Sequence, residues 1–188
     1  MKKLLFTLVF ICLSFCGFSQ EHLTFKGIPI TGSITTFCQK LKAKGFVQQS
    51  SQGNIRIFKG DFTGRQATVG VAATDKGQNV FSVAVFFDES DSWNTLVSIY
   101  EHYKDLYIEK YGQPTECVEC NPSITDSNIS LMYELNQGRV TYASIFEAPG
   151  GKIQISIEKG NINDGLVLIK YQDTQNVHEK RQRDLDDI

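Results

Sequence analysis

The stretch "KIQISIEK", residues 152–159, alternates between apolar and polar side chains along its whole length. Its three isoleucines fall on one side, and a glutamine, a serine and a glutamate fall on the other. Successive side chains of a β-strand point to opposite faces, so the pattern predicts a strand with one buried and one wet face. Because antiparallel sheets tolerate a solvated face, the stretch predicts an antiparallel sheet.

Other short apolar stretches, bounded by Gly- or Asn-containing turns, surround this one and indicate an antiparallel meander. A first group of predicted strands covers residues 46–50, 54–60, 65–74 and 79–87. A second group covers residues 129–135, 139–148, 152–159 and 165–172. A shorter strand is predicted to open the segment 23–32 and to break at Gly27 and Pro29.

A predicted helix precedes each group of strands. "SITTFCQKLKAKG" (33–45) has Ser33 as its N-cap and apolar residues at helical spacing. "SDSWNTLVSIYEHYKDLYIEKYG" (90–112) carries an aromatic stripe that includes Trp93, which the pattern predicts to be mostly buried. Residues 173–188 are almost all polar, which predicts a frayed helix or a disordered tail.

The element order predicts the α+β class: two helix-plus-four-strand units, with helices packed against an antiparallel sheet. Residues 20–172 are predicted to form a single domain, with possible tandem halves 23–87 and 91–172, followed by the polar tail. This order resembles a beta-lactamase-inhibitor-protein-like layout, and each half resembles a cystatin-like layout.

The first 19 residues have the pattern of a signal peptide. Lys2 and Lys3 precede an uncharged apolar run at 4–15, and small residues precede Gln20. The run is shorter than the roughly 20 residues that a spanning helix needs, and no second run of that length follows. We therefore expect cleavage after Ser19, export to the periplasm or the outside, and no membrane span in the mature chain.

A lipoprotein is the alternative interpretation of this segment, because Cys12 and Cys16 lie late in it. A lipidated cysteine normally follows a small residue, whereas Ile11 and Phe15 precede these two, so the pattern favours the cleaved signal.

The net charge of −2 at pH 7 and the absence of a basic stripe exclude nucleic acid as the expected partner.

Cys117 and Cys120 form the most conspicuous motif, a C-x-x-C pair in "KYGQPTECVECNPS" (110–123). A thioredoxin-type pair lies at the start of a helix, but this pair follows a predicted helix end and precedes Asn-Pro. A structural zinc site needs about four ligands, and no second pair is present. The remaining interpretation is a local disulfide across a loop, for which Cys117 and Cys120 are the candidates.

Two other arrangements of the thiols stay open. Cys38, on the apolar stripe of the first helix, is predicted to be a buried free thiol, but a long-range bond from it to the pair is an alternative. In the second open arrangement Cys38, Cys117 and Cys120 are all free thiols.

Further candidate chemistry is sparse. The sequence has no G-x-S-x-G, H-E-x-x-H or G-x-x-x-x-G-K-[ST] motif, so it predicts no catalytic, cofactor-binding or metal-binding residues. His102, beside Glu101, would be the first suspect in an enzyme with scattered residues. The acidic cluster "DESD" (88–91) fits a helix start better than a calcium site. The tyrosines of the second helix fit a core stripe better than a carbohydrate-stacking platform.

The segments "FKGIPITGSITTFCQKLKAKGF" and "YKDLYIEKYGQP" resemble a group of small exported proteins of Bacteroidetes bacteria, over about residues 23–114. The group has no assigned activity, so the resemblance supports export and a single domain and implies no catalytic residues. We therefore expect an exported non-enzymatic binding module whose ligand, a protein or an envelope component, binds through the sheet face or the loops. The alternatives are a small envelope enzyme and a thiol- or metal-handling protein that uses Cys117 and Cys120.

Overall fold

An antiparallel sheet of eight strands forms the body of the protein. The computed structural model describes residues 21–75, 78–119 and 130–188, so the predicted signal peptide and Cys120 lie outside the described residues. A short hairpin precedes the large sheet, and each of its two strands has two residues: β1 (Thr24–Phe25) and β2 (Ile28–Pro29). The strands of the large sheet are β3 (Val47–Gln52), β4 (Ile55–Phe62), β5 (Arg65–Ala73), β6 (Val80–Phe86), β7 (Glu116–Glu119), β8 (Tyr142–Ala148), β9 (Gly151–Lys159) and β10 (Gly165–Asp173).

The strand order across the sheet is β3-β4-β5-β6-β10-β9-β8-β7. The first meander therefore runs inward from one edge, the second runs inward from the other, and their final strands pair at the centre. In that central pair Val85 lies opposite Ile169.

Among the described residues, four helices accompany the sheet: α1 (Ile34–Ala43), α2 (Trp93–Tyr111), α3 (Leu131–Asn136) and α4 (Thr174–Asp186). The predicted N-cap of α1 is confirmed, because the Ser33 hydroxyl accepts a hydrogen bond from the Thr36 amide at 3.2 Å. Ser92 caps α2 in the same way, through the amide of Thr95. The predicted α+β class, with an antiparallel sheet and helices, is confirmed. Within the described ranges no helix has the length and apolar content needed to cross a membrane.

The core lies between one face of the sheet and the helices α1, α2 and α3. Alternate residues of β10 are buried, and the predicted core stripe of α2 places Tyr100, Tyr103 and Tyr107 against the sheet. On the other face the matching positions are half-buried. Phe86 is one of them, and its ring lies over Gly70, 3.4 Å from where a Cβ would stand.

The predicted strand at 129–135 is wrong, because Leu131–Asn136 form the helix α3. The apolar and aromatic residues Leu131, Met132, Tyr133 and Leu135 fit a short strand as well as a helix. In the structure the buried apolar pair is Met132 and Leu135, three residues apart, while Tyr133 is 57% exposed. The N-cap at Ser130 and the spacing of the buried residues favour the helix over a strand.

The eighth strand of the sheet comes instead from a segment predicted to be a polar loop. Glu116–Glu119 form β7, which pairs with β8 at the edge of the sheet. All four residues are exposed, so their pairing rests on backbone hydrogen bonds and leaves no hydrophobic pattern in the sequence.

Trp93 packs against the core with most of its surface covered, as predicted, although it is not fully buried. Its indole lies nearly perpendicular to the Tyr142 ring, at a centroid distance of 5.5 Å. The polar tail forms the helix α4, so of the two predicted outcomes the helix is correct.

A buried carboxylate ties the start of the described chain to the start of α4. Asp173 is 0% exposed, and it accepts hydrogen bonds from the amides of Leu23 at 2.9 Å and Asn176 at 3.0 Å. The Nδ1 atom of His22 lies 3.0 Å from the same carboxylate. The chain that leads into β1 is therefore fixed at a defined place.

Candidate functional site

A pocket of about 540 Å³ opens between the β1–β2 hairpin, the β4–β5 turn and the C-terminal half of α2. Its size falls in the range of small-molecule sites. Its floor consists largely of aromatic rings, and its rim carries charged and hydroxyl side chains. The lining comprises Thr24, Lys26, Gly27, Phe62, Thr63, Tyr103, Leu106, Tyr107, Glu109, Lys110, Tyr111 and Tyr171.

Two tight turns place side chains at the rim of this pocket. Lys26 (φ 49°) and Thr63 (φ 52°) each precede a glycine that also has positive φ. Two consecutive residues with positive φ are typical of type I′ hairpin turns, in which Asn or Gly usually fills the first position. A left-handed conformation costs a residue with a side chain about 1–2 kcal/mol, and both side chains that bear this cost line the pocket.

The Thr63 hydroxyl helps to fix one wall. It donates to the Tyr103 hydroxyl at 2.9 Å, and Tyr103 in turn donates to the Phe62 carbonyl at 3.2 Å. Burial raises the pKa of Tyr103, so this phenol keeps its proton at neutral pH. Its hydrogen-bonding capacity is thus used within the wall.

The hydroxyls of Tyr107 and Tyr171 hydrogen-bond to each other in the floor. The two residues are 8% and 5% exposed. Burial raises the pKa of both phenols well above the ordinary value, so both remain protonated. Each therefore keeps one hydroxyl hydrogen, and only one of the two hydrogens is needed for the bond between them.

The rim carries two ammonium groups and one carboxylate, those of Lys26, Lys110 and Glu109. Lys26 lies over the Phe62 ring, 5.7 Å from its centroid, and donates to the Asp61 carbonyl. Lys110 lies 4.8 Å from the centroid of the Tyr111 ring. Within the described part of the chain neither ammonium group takes part in an ion pair.

The sequence does not predict this pocket. Its pattern places the α2 tyrosines in the core, which is correct for Tyr100, while Tyr103 and Tyr107 belong to the core and also to the pocket floor. The overlooked signal was a repeated pattern, "FKG" at 25–27 and "FTG" at 62–64. In each, a buried phenylalanine precedes a two-residue turn that ends in glycine.

Cys117, a predicted site residue, lies exposed on the edge strand β7. Its thiol donates to the Glu119 carboxylate at 3.4 Å and accepts from the Ser144 hydroxyl at 3.4 Å. Ser144 also lies 2.5 Å from the Tyr100 hydroxyl. A polar cluster therefore surrounds Cys117.

Lys104 supplies the cation of this cluster through its ion pair with Glu119. Burial alone would raise the pKa of Glu119, but hydrogen bonds from Lys104 and Cys117 outweigh burial and lower it. The carboxylate is consequently ionised at neutral pH and already committed to lysine. A second carboxylate, that of Glu101, lies 3.6 Å from the same ammonium group.

Cys38 is a buried free thiol on α1, as predicted. Burial raises its pKa, which disfavours the reactive thiolate. α1 packs on β5, whereas β7 lies five strands away across the sheet, a span of about 24 Å at the usual strand spacing. This excludes the alternative of a bond from Cys38 to Cys117, since a disulfide needs Cα atoms within about 7 Å.

We expect the oxidised protein, denatured without reductant, to contain one free thiol, that of Cys38. The reason is that a local bond between Cys117 and Cys120 would consume the other two. Titration with dithiodipyridine measures the count, and the Cys38→Ser variant, with an expected count of zero, is the control. Three titratable thiols in oxidised protein would contradict the disulfide.

The other sequence candidates do not converge on the pocket. His102 is exposed on α2, with its ring 5.1 Å from that of Tyr103. Glu89, of the acidic cluster, accepts from the Asn161 amide at 2.6 Å. Within residues 21–75, 78–119 and 130–188, no three His, Cys, Asp or Glu side chains are grouped as metal ligands.

Comparisons of the chain with protein-family models, curated proteins and solved structures find no match.

Proposed function

We propose that the protein is an exported, non-enzymatic binding module and that the pocket beside α2 is its ligand site. The observation that carries this proposal is the placement of Lys26 and Thr63. Both adopt backbone conformations that side chains disfavour, and both line the same pocket. Costly backbone conformations tend to cluster at ligand sites, where the surrounding structure holds them in place.

The composition of the lining supports binding over catalysis. Aromatic rings supply apolar contact, and the described polar groups of the lining are phenols, threonines, two lysines and one glutamate. None of them forms the hydrogen-bonded pair of nucleophile and base that nucleophilic catalysis requires. Of the two expected ligand classes, a small envelope component fits a pocket of about 540 Å³ better than a protein does.

Two alternatives keep specific support. An enzyme with scattered residues would use a site away from His102, since that ring is exposed on a helix surface. A thiol-handling protein would use Cys117, whose surroundings contain Glu119, Lys104 and Ser144. The thiol alternative is weakened because Cys117 lies on the strand β7, whereas a thioredoxin-type pair lies at the start of a helix.

The beta-lactamase-inhibitor-protein-like layout is part of this proposal. It is supported by the strand order, in which two helix-led meanders meet through their final strands. A cystatin-like layout for each half is supported by the same order. The kinship with exported Bacteroidetes proteins also remains a proposal, resting on the segments at 25–46 and 103–114.

The test is ligand capture from native cell envelopes. Mature protein, residues 20–188, is incubated with detergent-extracted envelope, re-isolated and analysed by mass spectrometry for small molecules and proteins. The variant Leu106→Trp enlarges a rim residue that is 39% exposed, and we expect it to block the pocket and lose the ligand. Ile55→Trp, at a position 47% exposed and outside the lining, is the matched control.

We expect the wild type and Ile55→Trp to retain the same compound and Leu106→Trp to lose it. Identical profiles for all three proteins would show that the pocket is not the ligand site. Turnover of the captured compound by the wild type would instead support the enzyme alternative.

A further inference from the structure

The geometry points to a ligand of defined chemistry: an apolar, ring-sized molecule with an anionic group at one end and a hydrogen-bond-accepting oxygen at the other. This inference rests on the proposed function, because it assigns the ligand class of the same pocket. We infer that the anionic end lies between Lys26 and Lys110 at the rim. The accepting oxygen lies against the hydroxyl pair of Tyr107 and Tyr171.

The apolar body follows from the floor and from the volume. The rings of Phe62, Tyr103 and Tyr107 provide apolar surface, and about 540 Å³ accommodates a molecule of two fused rings with substituents. The Tyr103 hydroxyl is already bonded to Thr63 and Phe62. Most of the floor therefore offers a ligand contact area and few polar partners.

The anionic end follows from the charges at the rim. Lys26 and Lys110 are free of ion pairs within the described chain, and Glu109 is the single carboxylate of the lining. Each ammonium group is oriented over an aromatic ring, Phe62 or Tyr111, and so stays close to the pocket. An anion between Lys26 and Lys110 would balance the positive charge of the two ammonium groups at the rim.

The accepting oxygen follows from a count of hydrogens in the floor. In the Tyr107–Tyr171 pair one hydroxyl donates to the other. The hydrogen of the accepting hydroxyl has no acceptor of its own among the described residues. Both tyrosines are more than nine-tenths buried and line the pocket, so a ligand oxygen is the partner that this hydrogen lacks.

The test uses three probes with one ring system: a naphthoate with a methoxy group on the far ring, the same naphthoate without the methoxy group, and the neutral amide of the methoxynaphthoate. Affinities are measured by isothermal titration calorimetry on mature protein. We expect the methoxynaphthoate to bind most tightly. Loss of the charge should weaken binding about two- to fivefold, and loss of the methoxy oxygen about two- to tenfold.

Two double variants separate the two ends. Lys26→Gln with Lys110→Gln should remove the preference for the acid over the amide and keep the preference for the methoxy group. Tyr107→Phe with Tyr171→Phe should remove the preference for the methoxy group and keep the preference for the acid over the amide. Removing both hydroxyls leaves no orphaned partner, so the fold should persist, and near-ultraviolet circular dichroism checks this. Lys59→Gln, an exposed lysine outside the lining, is the charge control.

Equal binding of acid and amide by the wild type would overturn the anionic end. A methoxy preference that survives the double phenylalanine variant would overturn the oxygen contact. Either result leaves the pocket as a binding site. Absence of binding by all three probes at millimolar concentration would overturn the ligand class, while the envelope-capture experiment with Leu106→Trp would still decide the proposed function separately.

Discussion

Replacing Asp173 by alanine should lower the free energy of unfolding by about 2–4 kcal/mol. The carboxylate is fully buried and accepts from two backbone amides, those of Leu23 and Asn176. Alanine would leave both donors buried without acceptors, and an orphaned buried donor costs about 1–3 kcal/mol. His22 would lose its partner as well. Urea unfolding monitored by circular dichroism measures the change.

The comparison for Asp173→Ala is Ser33→Ala, which removes the N-cap of α1. Ser33 accepts a single amide in a solvent-exposed setting, so its loss should cost about 1 kcal/mol. Equal costs for the two variants would mean that Asp173 acts only as a helix cap. A greater loss in Asp173→Ala is expected because the carboxylate also anchors the strand β1, which carries Thr24 of the pocket.

Phe25→Ala should be the most destabilising single change, at about 3–5 kcal/mol. Phe25 is 0% exposed and packs against three other rings. It stacks on Phe62 at a centroid distance of 5.8 Å, and it meets Tyr171 edge-on at 5.2 Å and Phe46 at 6.3 Å. Truncation would leave a cavity directly behind two residues of the pocket floor.

Tyr133→Ala is the control for Phe25→Ala, because Tyr133 is an aromatic residue that is 57% exposed. Its loss should cost less than about 1 kcal/mol. Chemical denaturation gives both values. Phe25→Ala should also weaken binding of the methoxynaphthoate, whereas Tyr133→Ala should leave it unchanged. A Phe25→Ala cost near that of Tyr133→Ala would contradict the packing described for the core.

The elements that the sequence predicts well are those whose burial is periodic. β10 alternates cleanly between buried and half-buried residues, β9 buries every isoleucine although Ser156 between them is buried too, and α2 repeats its buried tyrosines at helical spacing. Each pattern arises because a continuous stretch faces the same core. The local sequence therefore carries the information that determines the element.

The elements that the sequence predicts badly lack such a face. β7 buries none of its residues, so its backbone pairing with β8 leaves no trace in side-chain chemistry. α3 has six residues and two buried apolar side chains, too few for a helical period to be recognised in a stretch whose apolar residues also fit a strand. Pairing with a strand distant in the sequence determines β7, and the N-cap at Ser130 determines α3.

The pocket was beyond prediction because its parts are far apart in the sequence. Lys26, Thr63, Tyr107 and Tyr171 come from four different elements, and each has an ordinary local interpretation. A lysine in a turn is normally solvated, and a tyrosine on an apolar stripe normally belongs to the core. Only the paired "FKG" and "FTG" turns carried a local hint, and interpreting them requires knowing that they face the same helix.

The central position of β10 has a consequence for how the chain matures. β10 pairs with β6 on one side and β9 on the other, and His22 and Leu23 dock at its end, on Asp173. When residues emerge in order from a ribosome or an export pore, the edge of β6 that pairs with β10 has no hydrogen-bonding partner until residues 165–173 have emerged. An open edge invites pairing with other chains, and contacts this distant in sequence form slowly. The interval between delivery of β6 and delivery of β10 is thus the period in which a chaperone would most protect this protein from aggregation.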